Sequence, residues 1–313
     1  MSSEVLYGIS GRDCTVIINN WSTYASGIPA AEYAWYEMPP LREINIPLSF
    51  FTAPVKSIGA DTFATIATTT VPPRTISATF LLQSKQLLNP LLFPFMFRPI
   101  SGLPPFYKQG LRVVFVKPFM NNYAVMEIPE AVPTRWELQI RENNPATVSI
   151  TWSFNTANLY DKIIPALSSI DPNDEFITIR NVVIETDPPH LPPHGVRAIT
   201  FRINAPVSWR HRVALSPNKV AYDLTINRWE VELQLTLSPD AHLWLGRQIE
   251  LAPASQPYIV TFDLIPEEGL SRRFQLVPYA RLSEGSMTVR VESPLEPTVT
   301  FRAIDFISEV VQI

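Results

Sequence analysis

Two histidines four residues apart, His190 and His194, are the first place to look for chemistry. On a helix that spacing would turn both imidazoles to one face, where they could share a zinc ion. Here they sit in Asp187-Pro-Pro-His-Leu-Pro-Pro-His-Gly, whose four prolines forbid the helix. An extended segment would have to borrow two more ligands, so the stretch reads as an ordered polyproline-like loop, and no metal or cofactor is expected. His211, in Trp209-Arg-His-Arg, reads as a strand edge or surface residue, and His242 as the exposed side of a short helix. No Gly-x-Ser-x-Gly elbow is present. Leu282-Ser-Glu-Gly-Ser reads as a turn between strands, and Glu267-Glu268 beside Gly269 as a hairpin turn. With only 10 glycines there is no phosphate-cradling loop. Asn20-Trp-Ser is a glycosylation sequon that matters only in a secreted chain. The aromatics Trp21, Tyr24, Tyr33, Trp35 and Tyr36 could form a carbohydrate platform or, as aromatics more often do, anchor a buried patch. No catalytic residue is expected.

Composition narrows the class. The 313 residues suggest two domains. Hydrophobic residues make up 46%, enough for real cores, whereas charged residues are only 17%, below the usual ~25%. A surface so poor in charge suits burial in an assembly. A net charge of −4 implies no strongly basic face and argues against sequence-reading of nucleic acid. A single cysteine, Cys14, cannot form an internal disulfide, which excludes a disulfide-stapled fold. Residues 1–6 carry an early Glu4 and no basic or apolar leader pattern, so the reading is of a chain without a signal peptide. The longest uncharged apolar stretch, 86–97, is broken by Pro90 and Pro94, and it falls short of the ~20 residues a spanning helix needs. No membrane partner is expected.

The elements are mostly strands. Trp229, Val231, Leu233, Leu235 and Leu237 alternate with polar residues, as do Val148, Ile150, Trp152 and Phe154; Ile44, Ile46, Leu48 and Phe50; and Ile199, Phe201 and Ile203. This is the period-2 signature of half-buried strands. Further strands are expected at 111–117, 258–264, 286–291 and 298–303. Many of the 31 prolines come in pairs, such as Pro72-Pro73 and Pro188-Pro189, and mark strand ends. Helices are expected only after Ser238-Pro239, after Ser84, and over Asn158–Ile164.

The order repeats. Arg42-Glu-Ile-Asn-Ile matches Arg197-Ala-Ile-Thr-Phe at an offset of 155, and Ile76 to Leu82 matches Val231 to Leu237 at the same offset. Pairing Arg74 with Arg228 instead would turn every side chain to the wrong face. Val113 and Phe115 then match Val260 and Phe262, Leu138 and Ile140 match Met287 and Val289, and Val148 and Ile150 match Val299 and Phe301. The expectation is an all-β chain of two tandem units, 1–156 and 175–313, joined by a linker at 157–174. Each unit would carry one short helix.

Each half resembles the tube domain of long-tailed phage tail tubes and related injection systems. The resemblance rests on the hairpin regions 51–74 and 206–228, the helices after Ser84 and Ser238, and the closing strands Thr147-Val-Ser-Ile-Thr-Trp and Thr298-Val-Thr-Phe-Arg-Ala. It covers most of 42–313, with Gly11-Arg-Asp-Cys-Thr-Val-Ile-Ile as a candidate first strand, and it is architectural, without a diagnostic motif. It implies a non-enzymatic virion protein, assembled in the host cytoplasm, whose two-domain chains form trimeric rings of pseudo-sixfold symmetry. The rings would stack into a tube that conducts DNA without binding it specifically. Tail-tip or baseplate and tape measure proteins would be its partners. Candidate lumen and ring-contact positions on the hairpins are Lys56, Asp61, Ser208, Arg210, Lys219 and Asp223. A distal tail or baseplate hub is a close alternative. A carbohydrate-binding or hydrolysing β-sandwich using Trp21 and Trp35 is the alternative of a different class.

Overall fold

A computed structural model describes residues 14–20, 35–38, 40–46, 53–55, 65–67, 74–89, 92–95, 109–116, 123–154, 158–162, 174–187, 195–212, 221–226, 230–239, 257–290 and 293–311. The described chain is all-β, with antiparallel pairing throughout. In the first half the strands are β1 (Cys14–Asn20), β2 (Trp35–Glu37), β3 (Leu41–Asn45), β4 (Ala53–Val55), β5 (Thr65–Ala67), β6 (Arg74–Leu81), β7 (Gln109–Val116), β8 (Tyr123–Arg141), β9 (Thr147–Phe154) and β10 (Asn158–Lys162). In the second they are β11 (Val182–Asp187), β12 (Val196–Asn204), β13 (Val207–Arg212), β14 (Ala221–Ile226), β15 (Glu230–Leu237), β16 (Tyr258–Leu264), β17 (Ser271–Arg290), β18 (Ser293–Ala303) and β19 (Asp305–Val311).

The alternating runs form the strands they imply. In β15 the odd positions Val231, Leu233, Leu235 and Leu237 are buried and the even ones lie between them at the surface. The same pattern holds for Ile199, Phe201 and Ile203 of β12 and for Ile76, Ala78 and Phe80 of β6. A 3-10 helix, Ser84–Leu88, follows β6 where a helix was expected. Asp174 caps it, accepting hydrogen bonds from Ser84 Oγ at 2.6 Å and Lys85 N at 3.1 Å. After β15 only Ser238 and Pro239 of the second helix candidate are described; 240–256, with His242, lies outside the described residues, as do His190 and His194.

Two expectations fail. Residues 158–162 form strand β10 rather than a helix, because Asn158–Lys162 pairs with Tyr123–Glu127 along the open edge of β8. Leu282-Ser-Glu-Gly-Ser is no turn. It lies inside β17, at a bulge where Ser283 Oγ donates to Thr300 O at 3.1 Å. A bulge inserts one unpaired residue and bends the strand. β8 has the same device: between Pro133 and Arg135, Thr134 Oγ1 donates to Thr151 O at 3.2 Å. By contrast, Glu267-Glu268-Gly269 does connect two paired strands, β16 and β17, with Gly269 at φ +105°.

The strands pair in the same order in both halves. In the first, β3, β6, β9 and the C-terminal part of β8 are successive neighbours, and the N-terminal part of β8 pairs with β7 and β10, β7 also pairing with β1. In the second, β12, β15, β18 and the C-terminal part of β17 are successive neighbours, and the N-terminal part of β17 pairs with β16 and β19, β16 also pairing with β11. β4–β5 and β13–β14 stand off as two-stranded hairpins in corresponding places. Phe80 faces Val148 and Leu235 faces Val299, so the sequence match of β6 to β15 and of β9 to β18 holds in the pairing. Elsewhere the pairing moves the match by two residues without changing the face: Ile44 lies opposite Ala78 as Phe201 does opposite Leu233, and Leu138 opposite Val148 as Gly285 does opposite Val299.

The long strands carry the chain between two layers that enclose one core. Phe201 of β12 meets Phe262 of β16 edge-on, with ring centroids 5.1 Å apart, although the two strands are not neighbours in the sheet. In the first half Trp152 of β9 donates Nε1–H to Gln109 Oε1 of β7 at 2.6 Å, linking two strands that both pair with β8. The buried cluster runs unbroken through both halves.

Candidate functional site

The feature that the fold builds with most care is the seam between the halves. β8 of the first half lies antiparallel to β12 of the second, with Ile140 opposite Ile199, Leu138 opposite Phe201, Glu137 opposite Arg202 and Trp136 opposite Ile203. The junction merges two four-stranded sheets into one of eight, in the order β3-β6-β9-β8-β12-β15-β18-β17. Alternation puts Trp136, Leu138, Ile140, Ile199, Phe201 and Ile203 on the buried face, and all six are essentially inaccessible. Trp136 packs against Phe93, Phe201 and Phe274, and its Nε1–H reaches Leu92 O at 2.9 Å.

On the opposite face the seam is clasped by charge. Glu137 accepts hydrogen bonds from Arg202 Nε at 2.9 Å and from Arg135 and Gln139. Arg202 also reaches across to Glu232 on β15, Nη1 to Oε1 at 2.8 Å, and Glu232 in turn pairs with Arg302 on β18 at 3.5 Å. At the seam's end Arg197 and Glu142 form a further pair at 2.8 Å. The Glu137 side chain is only 8% exposed. Burial would raise its pKa, but the hydrogen bonds from Arg202, Gln139 and Arg135 outweigh burial and hold it down to about 2. Arg202 feels burial in the opposing sense, and its contacts with Glu137 and Glu232 raise its pKa. A carboxylate held this firmly ionised is unsuited to proton transfer near neutral pH. The cluster is built to join strands.

A second tie runs underneath. Arg272 of β17 is buried, and among the described residues its hydrogen bonds go to no carboxylate: its Nε donates to Leu87 O at 2.6 Å, its Nη1 to Ser308 Oγ at 3.0 Å, and its guanidinium lies 4.5 Å from the centre of the Phe93 ring. Burial lowers its pKa to about 10, so it stays charged at neutral pH. The 3-10 helix of the first half is thereby pinned to the second. Residues 174–181 complete the tie: Ser84 N donates to Glu175 O, Ile177 N to Leu82 O, and Ile265 N to Asn181 O.

The positions expected on the hairpins fare unevenly. Arg210 and Asp223 are directly opposite each other on β13 and β14, and Ser208, an exposed residue, lies opposite Thr225. His211 lies on the same hairpin, opposite Tyr222. Lys56, Asp61 and Lys219 lie outside the described residues, as does Trp21. Trp35 is on β2, opposite Asn19. The clasp residues were not singled out from the sequence. Glu137, Arg202 and Glu232 do fall on the polar phase of alternating strands, which is the signal that could have found them. Among the described residues no three histidine, cysteine or acidic side chains converge as a metal site would require, and no helix is long and apolar enough to cross a membrane. The polar groove of about 380 Å³ beside Arg42, Glu43, Arg141 and Ser149 opens on the outer face of the eight-stranded sheet. No family model matches the chain, and no curated protein matches its sequence.

Proposed function

We propose that this chain is a self-assembling virion structural protein, the tail tube subunit of a long-tailed phage, and that it is a tandem duplication of one tube-like β unit. The observation that carries this reading is the seam: two halves with the same pairing order meet through different edges, the β8 edge of one and the β12 edge of the other. A contact between unlike edges is heterologous, and repeating it closes a ring when the rotation allows. Three chains of two units would then close the ring that six single units would.

The outer face of the eight-stranded sheet would line the lumen. One row of cross-strand neighbours on it reads Glu43, Thr79, Ser149, Glu137, Arg202, Glu232, Arg302 and Arg281. Arg202 is held between two carboxylates, and Arg302 is paired with one of them. Guanidinium groups neutralised in this way offer little to a passing phosphate backbone, which supports conduction of DNA without specific binding. The detached hairpins β4–β5 and β13–β14 would supply ring contacts, and tail-tip and tape measure proteins would meet the ends and the lumen of the tube.

Negative-stain microscopy of the purified protein tests the reading. Rings that stack into hollow tubes are expected. Rings that never stack would indicate a baseplate hub instead, and a dispersed monomer at high concentration, with or without a tail-tip nucleator, would refute both.

A further inference from the structure

The intrachain seam has a counterpart at each end of the eight-stranded sheet. β3, the equivalent of β12, pairs with β6, and among the described residues no strand covers its other edge. The C-terminal part of β17, the equivalent of that of β8, pairs with β18 and is likewise uncovered on its other side among the described residues. The core thins at both places. Ile44 is half-buried where its counterpart Phe201 is fully buried, and Leu282 is half-buried where Trp136 is fully buried. Leu41 and Ile46 share the β3 fringe. An apolar row that ends half-covered at an open strand edge calls for one more strand.

We infer that the occupant is a second copy of this chain: the Arg281–Arg290 part of β17 pairs antiparallel with Leu41–Asn45 of the next copy. The inference rests on the self-assembly proposed above and supplies its register. Leu138 faces Phe201 within the chain; Gly285 is the counterpart of Leu138, and Ile44 that of Phe201. Gly285 of one copy therefore faces Ile44 of the next, Glu284 faces Asn45, and Ser286 faces Glu43. Core-facing residues meet core-facing residues, so the buried face continues across the joint.

The two kinds of joint differ in strength. The counterparts of Arg202, Glu232 and Arg302 in the first half are Asn45, Ser77 and Thr151. Glu284 takes the place of Glu137, and the residue it would face across the joint is Asn45 rather than an arginine. The joint between copies therefore lacks the charge clasp of the joint within a copy. It rests on backbone hydrogen bonds and apolar contact, and a ring opens there first.

Two cysteines at Glu43 and Ser286 test the register. Both positions are exposed, so the substitutions leave the fold intact. Cross-strand Cα distances of about 4.5–5.5 Å fall within disulfide reach. Oxidised E43C/S286C protein should run as a covalent trimer, and neither single variant should cross-link beyond the background set by Cys14. Dimers from E43C alone or S286C alone would mean like edges meet, and would overturn the inference. Rings seen by microscopy without a cross-link in the double variant would overturn the edge pairing while leaving the tube reading standing. Closed covalent trimers that never stack would support the pairing and sink the tube reading. Asn45→Arg supplies the missing partner for Glu284, and it should tighten trimer formation about tenfold at low salt, the gain fading at 1 M NaCl. No gain would overturn the register.

Discussion

Replacing Glu137 by glutamine keeps the shape of the side chain and removes the charge on which the seam converges. Glu137 is held at about 2 against an ordinary 4.5. At about 1.4 kcal/mol per pH unit that gap corresponds to roughly 3 kcal/mol of folding stability at neutral pH. Little is lost to solvent screening at this carboxylate, since it is 8% exposed. Because the folded-state pKa is depressed, the contribution is complete above the unfolded value of about 4.5 and fades as pH falls toward 2. Urea unfolding of wild type and E137Q should therefore differ by about 3 kcal/mol at pH 7 and only about 1 kcal/mol at pH 3. Arg202 keeps Glu232 as a partner in the variant, so the fold should survive. A difference below about 1 kcal/mol at pH 7 would refute the clasp as a stabilising device, since removing one partner of a buried pair normally costs ~3–5 kcal/mol. A difference that does not change between pH 7 and pH 3 would show that the loss comes from packing, not charge.

Three other outcomes are expected. Phe201→Ala removes a fully buried ring that contacts Trp136, Phe262, Phe274 and Phe306; it should cost about 3–5 kcal/mol by chemical denaturation. Asp174→Ala deletes the cap on the 3-10 helix and should cost about 1 kcal/mol, with faster amide exchange at Lys85 as the local readout. Gly269→Ala adds a Cβ with nothing within 4 Å, but at φ +105°; the cost of about 1–2 kcal/mol would be backbone strain alone, and Gly269→Asn should lose less.

Much of the fold was legible because a half-buried strand must alternate. β12, β15 and β9 each declare a buried face through residues such as Phe201, Leu233 and Ile150. Parity alone was enough to reject the Arg74–Arg228 match. The long strands were harder to read. Pro129 and Pro133 in β8, Pro278 in β17 and the Leu282–Ser286 run are all residues that usually end strands. The prolines persist because each falls at an irregularity of the ladder, Pro129 opposite the shift between Gln109 and Leu111, Pro133 at the bulge beside Trp152 and Pro278 opposite the shift between Tyr258 and Val260, while Ser293–Ala303 continues beside the Leu282–Ser286 run. Asn158–Lys162 has helix-like composition, yet it becomes a strand because β8 offers it an unpaired edge.

By itself the sequence determined which residues turn inward, since that follows from local periodicity. It also placed Glu137, Arg202 and Glu232 on polar faces. That these three meet was decided only by tertiary structure. They lie on β8, β12 and β15, far apart along the chain, and only the antiparallel register brings a carboxylate, a guanidinium and a second carboxylate into one row. The joint between the halves is likewise a property of strand edges, because a backbone edge carries no side-chain pattern that names its partner.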